Sequence, residues 1–104
     1  MILLRCLSLA ALVLLSAAAQ AEEVVVHIDN FTFDPVEITV KPGTTVTWEN
    51  RDDIPHLVVE DGAKFRSPAL DTGEKFSFVF QNAGETEYFC GLHPHMKGKV
   101  IVKP

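Results

Sequence analysis

The sequence is poor in cysteine and in basic residues. Its 104 residues contain two cysteines, and nine Lys or Arg stand against 14 Asp or Glu, which makes the formal net charge −5. Because no cluster of Lys and Arg reverses this charge locally, the composition excludes a protein that binds the phosphates of nucleic acid. A chain of this length holds one small domain at most.

Long apolar runs are also missing, except at the start of the chain. Arg5 precedes an apolar stretch at residues 7–15, and Ala19 and Ala21 form a small-residue cleavage site. This order is typical of a secretory signal peptide; the alternative is a signal retained as a membrane anchor. We expect residues 1–21 to be a signal peptide and residues 22–104 to be a periplasmic domain, with no membrane insertion after cleavage.

Removal of the signal takes Cys6 with it and leaves one cysteine, Cys90. An internal disulfide is then impossible, although disulfides are usual in exported proteins of this size. A lone thiol in an oxidising compartment therefore needs either protection from solvent or a chemical role.

Helical spacing of apolar residues is absent from residues 22–104, whereas alternation with a period of two recurs, which is typical of strands with one buried face. Two continuous apolar runs, residues 24–28 and 57–59, predict fully buried strands. The alternating groups are Phe31/Phe33, Val36/Ile38/Val40, Val46/Trp48, Phe76/Phe78/Phe80 and Val100/Val102.

Turn signals separate these segments: Pro42-Gly43, Asp61-Gly62, Thr72-Gly73 and Ala83-Gly84. Each pair carries the glycine that a tight turn with positive φ favours. Seven or eight short strands at this spacing predict an all-β fold, a two-sheet antiparallel Greek-key sandwich.

Metal donors are concentrated between the last two strand patterns. Cys90 is followed by His93 and Met96 at intervals of three residues, so one tight loop can turn three side chains toward a common point. His56 directly follows Pro55 at the start of another strand, and it is a better fourth donor than His27, which lies inside a strand pattern.

The donor types select the metal. A set of two imidazoles, one thiolate and a weakly bound thioether is the set of blue-copper electron-transfer sites. Zinc sites rarely use methionine, and iron–sulfur clusters need more thiolates. Taken singly, Cys90 and Met96 could each be an ordinary core residue, but their joint spacing with His93 favours copper.

These motifs resemble the cupredoxins, the family of type 1 blue copper proteins, and most closely its amicyanin and plastocyanin branch. The resemblance covers residues 24–104; it is carried by residues 31–35, residues 41–48 and Asn50, by Pro55-His56, and by Cys90, His93 and Met96. It implies one type 1 copper ion with His56, Cys90 and His93 as equatorial ligands and Met96 as the axial ligand. It also implies that Asn50 ties the His56 segment to the Cys90 segment.

The sequence departs from the family at three positions. Leu57 replaces the usual Asn after the first histidine, and Gly91 replaces the usual Thr or Ser after the cysteine. The side-chain hydrogen bond between these two positions is therefore lost, although the backbone N–H of Leu57 could donate to the Cys90 sulfur. His95 could compete with His93 for copper, but we expect it to face solvent.

Four protein donors leave no open coordination position for a substrate, so we expect an electron carrier and no enzyme. The alternative is a periplasmic copper carrier or chaperone that hands its metal on. The resemblance implies that redox partner proteins dock transiently near His93, and we expect the protein to be a monomer. Asp52, Asp53, Glu60 and Asp61 could steer a partner, or could be an ordinary solvated face.

Overall fold

The structure is a computed structural model and describes residues 22–104. The predicted signal peptide, residues 1–21 with Cys6, lies outside the described residues, and its removal stays a prediction. Within the described part of the chain, no helical segment could serve as a membrane span.

Eight strands form two four-stranded sheets that pack face to face, which confirms the predicted all-β sandwich. The strand orders are β2-β1-β4-β6 in one sheet and β3-β8-β7-β5 in the other. Neighbours that are not consecutive in the chain show that the connections cross between the sheets, as a Greek key requires. The strands are β1 Glu23–Asp29, β2 Thr32–Asp34, β3 Glu37–Val40, β4 Thr44–Asn50, β5 Val58–Glu60, β6 Lys75–Phe80, β7 Gly84–Cys90 and β8 His93–Val102.

Each sheet contains both parallel and antiparallel pairs, whereas the sequence predicted antiparallel pairing throughout. Strand β1 runs parallel to β4, with Val26 opposite Trp48, and β3 runs parallel to β8, with Ile38 opposite Val100. The remaining pairs are antiparallel. Alternation shows which side chains are buried but says nothing about the direction of the neighbouring strand, so these two parallel pairs were not visible in the sequence.

The core lies between the sheets around Trp48, whose ring packs against Tyr88 at 5.2 Å and Phe65 at 5.8 Å between ring centroids. The predicted fully buried strand at 57–59 is confirmed for Val58 and Val59 in β5, and Leu57 is buried directly before that strand. The same prediction for 24–28 is wrong, because β1 alternates and Val25 is 40% exposed. Valine is apolar enough for either face of a half-buried strand, so composition alone could not separate the two cases.

One end of the sandwich gathers the predicted donor segments. Strand β5 pairs with β7 so that Val58 lies opposite Cys90, and the β7–β8 hairpin places Cys90 opposite His93 with a register shift after Phe89. A single bridge between His56 and Leu70 holds the chain that enters β5. The ends of β5, β7 and β8 therefore meet at one pole of the fold.

Candidate metal centre

Three of the four predicted ligands converge at this pole. The Cys90 sulfur lies 3.5 Å from Nδ1 of His56 and 3.6 Å from Nδ1 of His93, and the three donor atoms all lie within 4.8 Å of one another. His56 and Cys90 are fully buried, whereas His93 is partly exposed. Both histidines thus present the same ring nitrogen to one buried sulfur.

These separations fit a bound transition metal. A metal at about 2.0 Å from an imidazole nitrogen and about 2.3 Å from a thiolate sulfur separates the two donors by about 3.5 Å at an angle near 110°. The soft thiolate and the two imidazoles are donors that copper accepts in both of its common oxidation states. The residues present therefore fit the copper ion that the sequence predicts.

Met96 lies on β8 and faces inward, where it belongs to the same core cluster as Cys90. His95, the preceding residue, is exposed, and it lies outside the donor cluster, as does His27 on β1. The donors do not share a single loop, because β8 already begins at His93. The alternation of β8 turns Met96 inward and His95 outward, which favours Met96 as the fourth donor.

Asp52 orients the first histidine, a role that the sequence analysis missed. Its Oδ2 lies 2.7 Å from Nε2 of His56, and the carboxylate is only 9% exposed. Because an ionised carboxylate can only accept, Nε2 donates this hydrogen bond, and Nδ1 is the ring nitrogen turned toward Cys90. A carboxylate behind a ligating histidine sets the orientation of its ring and raises its basicity.

Four acidic residues were considered as steering charges or as an ordinary solvated face. Asp52 and Glu60 are buried, so neither alternative holds for them, whereas Asp53 and Asp61 are exposed. Burial opposes the ionisation of Asp52, but hydrogen bonds from the backbone of Phe31, from His56 and from the backbone of Asn30 outweigh it and lower its pKa. The carboxylate is therefore held in its charged form. Only the spacing of four residues to His56 could have suggested this role, and that spacing is a weak signal.

Asn50 is fully buried and organises the segment that carries His56. Its side-chain amide donates to the carbonyls of Ile54 and Leu70, both at 2.8 Å, and its Oδ1 accepts from the backbone N–H of Asp52 at 2.9 Å. None of these recorded partners belongs to the Cys90 segment, so the expected link between the two segments runs elsewhere. Asn50 instead holds both ends of the turn that precedes His56.

The link between the two segments is made by Leu57 and Gly91. The backbone N–H of Gly91 donates to the carbonyl of Leu57 at 3.1 Å. A Cβ at Gly91 would overlap Cδ1 of Leu57 and would lie 3.2 Å from Cγ2 of Val59. The Leu57 side chain therefore fills the space beside Gly91. An apolar contact and one backbone hydrogen bond join the two segments, in place of the hydrogen bond from the Leu57 N–H to the Cys90 sulfur that was considered from the sequence.

Phe31 is a further part of the site that the sequence analysis missed. The alternation predicted it on the same buried face as Phe33, but it lies in the turn between β1 and β2 and is 53% exposed. Its ring contacts His56 and His93 edge-on, at centroid distances of 5.6 Å and 5.2 Å. A turn breaks the period of two, so Phe31 points to the pole instead of the core.

We expect Asp52→Asn to weaken copper binding by about 10- to 100-fold, the usual cost of losing a partner behind a metal-ligating histidine. The amide removes the charge that fixes the tautomer of His56. Competition with a chelator of known affinity measures the change. Asp53→Asn is the matched control, because Asp53 is the exposed neighbour; equal losses in both variants would show that overall charge, and not the contact with His56, is responsible.

Comparison with known proteins finds the cupredoxin-like domain family over residues 2–102. Amicyanin of Paracoccus versutus is 37% identical over 95 residues, which cover 85% of this chain and 70% of the relative. Chloroplastic plastocyanin of Tetradesmus obliquus is 36% identical over an alignment 104 positions long, which covers 86% of this chain and 72% of the relative. A solved Cu(I) structure of an amicyanin variant has a TM-score of 0.73 at 34% identity and covers 78% of this chain and 82% of its own.

One enzyme also shows this fold. A copper-containing nitrite reductase from Thermus scotoductus has a TM-score of 0.73 at 30% identity over 79% of this chain. The match covers 22% of the enzyme, so most of the reductase lies outside the region that resembles this chain.

Proposed function

Because the chain belongs to the cupredoxin-like family, we propose that it is a small type 1 copper protein that carries single electrons between redox partners. The observation that supports this most directly is the convergence of two imidazole nitrogens on one fully buried sulfur, with all three donor atoms within 4.8 Å. Copper bound there would supply a one-electron Cu(I)/Cu(II) couple.

In this proposal His56, Cys90 and His93 would hold the copper most strongly, and Met96 would be a weaker fourth donor. Pairing of β5 with β7 and of β7 with β8 holds these side chains on strands or strand ends, so the donors stay in place when the charge of the metal changes. Asp52 keeps the His56 ring oriented in both states. A rigid donor set that suits both oxidation states is the requirement for rapid electron transfer.

His93 is the route for electrons to and from the surface. Among the three clustered donors it is the one with solvent exposure, and its neighbours Leu92 and Pro94 are exposed apolar residues. With Phe31 they form a small apolar surface at the pole, which suits brief docking of a redox partner protein. The surplus of negative charge on the chain would favour a partner with a positive surface.

The place of action in this proposal is the periplasm, after export and removal of residues 1–21. A monomer is the form that leaves the His93 surface free for a partner. The fold alone does not distinguish an electron carrier from an enzyme, because a reductase also contains it. The four-donor site supports an electron carrier, because four protein donors would leave no coordination position for a substrate.

Stopped-flow mixing of the copper-loaded protein with small redox reagents tests this function. We expect complete reduction and reoxidation within seconds, with copper retained throughout in the presence of a Cu(I) chelator. His95→Ala is the matched control for handover, because His95 is exposed beside the site and lies outside the donor cluster. Slow electron exchange together with rapid loss of copper to the chelator would identify a copper carrier instead.

A further inference from the structure

The turn between β1 and β2 has an unusual backbone. Asn30 and Phe31 both adopt the left-handed conformation, with φ of 52° and 57°. Asparagine tolerates this region, but a bulky side chain such as that of phenylalanine is an outlier there. Such residues persist only where the surrounding structure enforces them, and they concentrate at functional sites.

Asp52 enforces this turn. Its Oδ1 accepts from the backbone N–H of Asn30 at 2.6 Å, and its Oδ2 accepts from the backbone N–H of Phe31 at 3.0 Å. The same Oδ2 is the atom that contacts His56 at 2.7 Å. One buried carboxylate therefore holds both the turn and the first histidine.

The turn delivers the Phe31 ring to the second histidine. The ring of Phe31 is nearly perpendicular to that of His93, with an interplanar angle of 84° at 5.2 Å. Within residues 22–104, the only hydrogen bond recorded for the His93 ring is its contact with Cys90. Among the described residues, His93 thus has no counterpart of the carboxylate that orients His56. Its ring packs against the rings of His56 and Phe31, each at 5.2 Å between centroids, and of these two only Phe31 is not itself a predicted ligand.

We propose that Phe31 is a positioning residue for His93, and that Asp52 orients both imidazoles, His56 by direct contact and His93 through Phe31. The consequence for copper affinity rests on the proposed function, whereas the effect on the His93 ring does not. In this proposal the left-handed backbone at Phe31 serves to hold its ring against His93, the one clustered donor that reaches the surface.

The substitution Phe31→Gly distinguishes a positioning role for Phe31 from a purely structural one. Phe31→Gly removes the ring and also relieves the backbone conformation, since glycine adopts positive φ freely. We expect the metal-free variant to unfold at the temperature of the wild type or above it. We expect its copper affinity to fall about 3- to 10-fold, as the loss of edge-to-face ring contacts implies, and we expect the His93 ring signals in its NMR spectrum to broaden.

Two further variants complete the experiment. Phe31→Tyr keeps the ring and should stay within twofold of the wild type in copper affinity, even if the glycine variant proves hard to fold. Leu92→Ala removes an apolar side chain that is 51% exposed at the same pole, and it should leave affinity and His93 signals unchanged. Equal effects of Phe31→Gly and Leu92→Ala would overturn the proposal.

The relay through Phe31 is tested by combining substitutions in the metal-free protein. Asp52→Asn should broaden the His93 signals when Phe31 is present and should broaden them much less in the Phe31→Gly background, where the carboxylate reaches His93 only through the His56 ring, 5.2 Å away. Additive broadening would overturn the relay. If the His93 signals of Phe31→Gly are the same as those of the wild type, the positioning role is overturned. If the wild type fails to bind copper, only the proposed function is contradicted.

Discussion

Replacement of Cys90 with serine is expected to abolish the intense visible absorption of the copper-loaded protein. The absorption arises when charge moves from a thiolate sulfur to Cu(II), and the Cys90 sulfur is the atom on which both imidazole nitrogens converge, at 3.5 and 3.6 Å. A serine hydroxyl is nearly isosteric but remains a neutral, hard donor, so it neither produces the transition nor favours Cu(I). An optical spectrum of each protein loaded with one equivalent of Cu(II) measures the effect.

The control for this variant is the stability of the metal-free protein. Cys90 is fully buried, and a hydroxyl in its place costs about 1–3 kcal/mol if it finds no partner; thermal unfolding shows whether the variant remains folded. A spectrum of the folded variant that still contains the band would exclude Cys90 as the ligand. A wild-type protein that lacks the band would contradict the proposed type 1 copper site itself.

Gly98→Ala is expected to lower the stability of the fold strongly. A Cβ at this position would overlap Cζ and Oη of Tyr88 and would lie 2.6 Å from Cε2 of the same ring. Tyr88 is buried and packs against Trp48 and Phe33, at centroid distances of 5.2 and 4.7 Å, so the ring cannot move away from position 98 without disturbing these contacts. Overpacking of this kind costs about 3 kcal/mol, which for a domain of this size lowers the midpoint of thermal unfolding by about 15 °C.

Gly62→Ala is the matched control, since the nearest atoms to its Cβ would be the carboxylate oxygens of Glu60 at 3.2 Å, a much milder contact than the overlap at Gly98. A second variant, Tyr88→Leu, removes the ring, and combined with Gly98→Ala it should cost less than the sum of the two single changes. Burial raises the pKa of Tyr88 to about 12, so the phenol stays neutral at ordinary pH in the wild type and in the variants that keep Tyr88. An unfolding midpoint for Gly98→Ala within about 2 °C of the wild type would contradict the steric argument.

Local pattern was sufficient for the parts of this protein that depend on neighbours in the chain. Alternation located most strands, and glycines marked turns such as the one at Gly43, where φ is +90°. The spacing of Cys90, His93 and Met96 predicted a group of donors. The prediction succeeded because Cys90 and His93 lie opposite each other across a tight hairpin. His56 could be chosen over His27 because a proline fixed the loop before it.

Local pattern failed where a residue's role depends on a distant one. Asp52 belongs to no motif, and the segment 31–35 that supports the resemblance assigns no role to Phe31. Their acidic and apolar characters suggested a solvated charge and a core residue. Their hydrogen bond joins positions 21 residues apart. The break in alternation at Asn30 and Phe31 is too short to distinguish from a continuing strand.

The amino-acid sequence by itself determined the all-β class, the copper-type donor set and the absence of an internal disulfide in residues 22–104, because these depend on residue type and short-range spacing. Only the tertiary structure decided which strands run parallel, which carboxylate faces His56, and that Phe31 lies on His93. Those outcomes depend on packing between segments that are far apart in the chain, as with Cys90 and His56 at 34 residues, and no local pattern encodes such a contact.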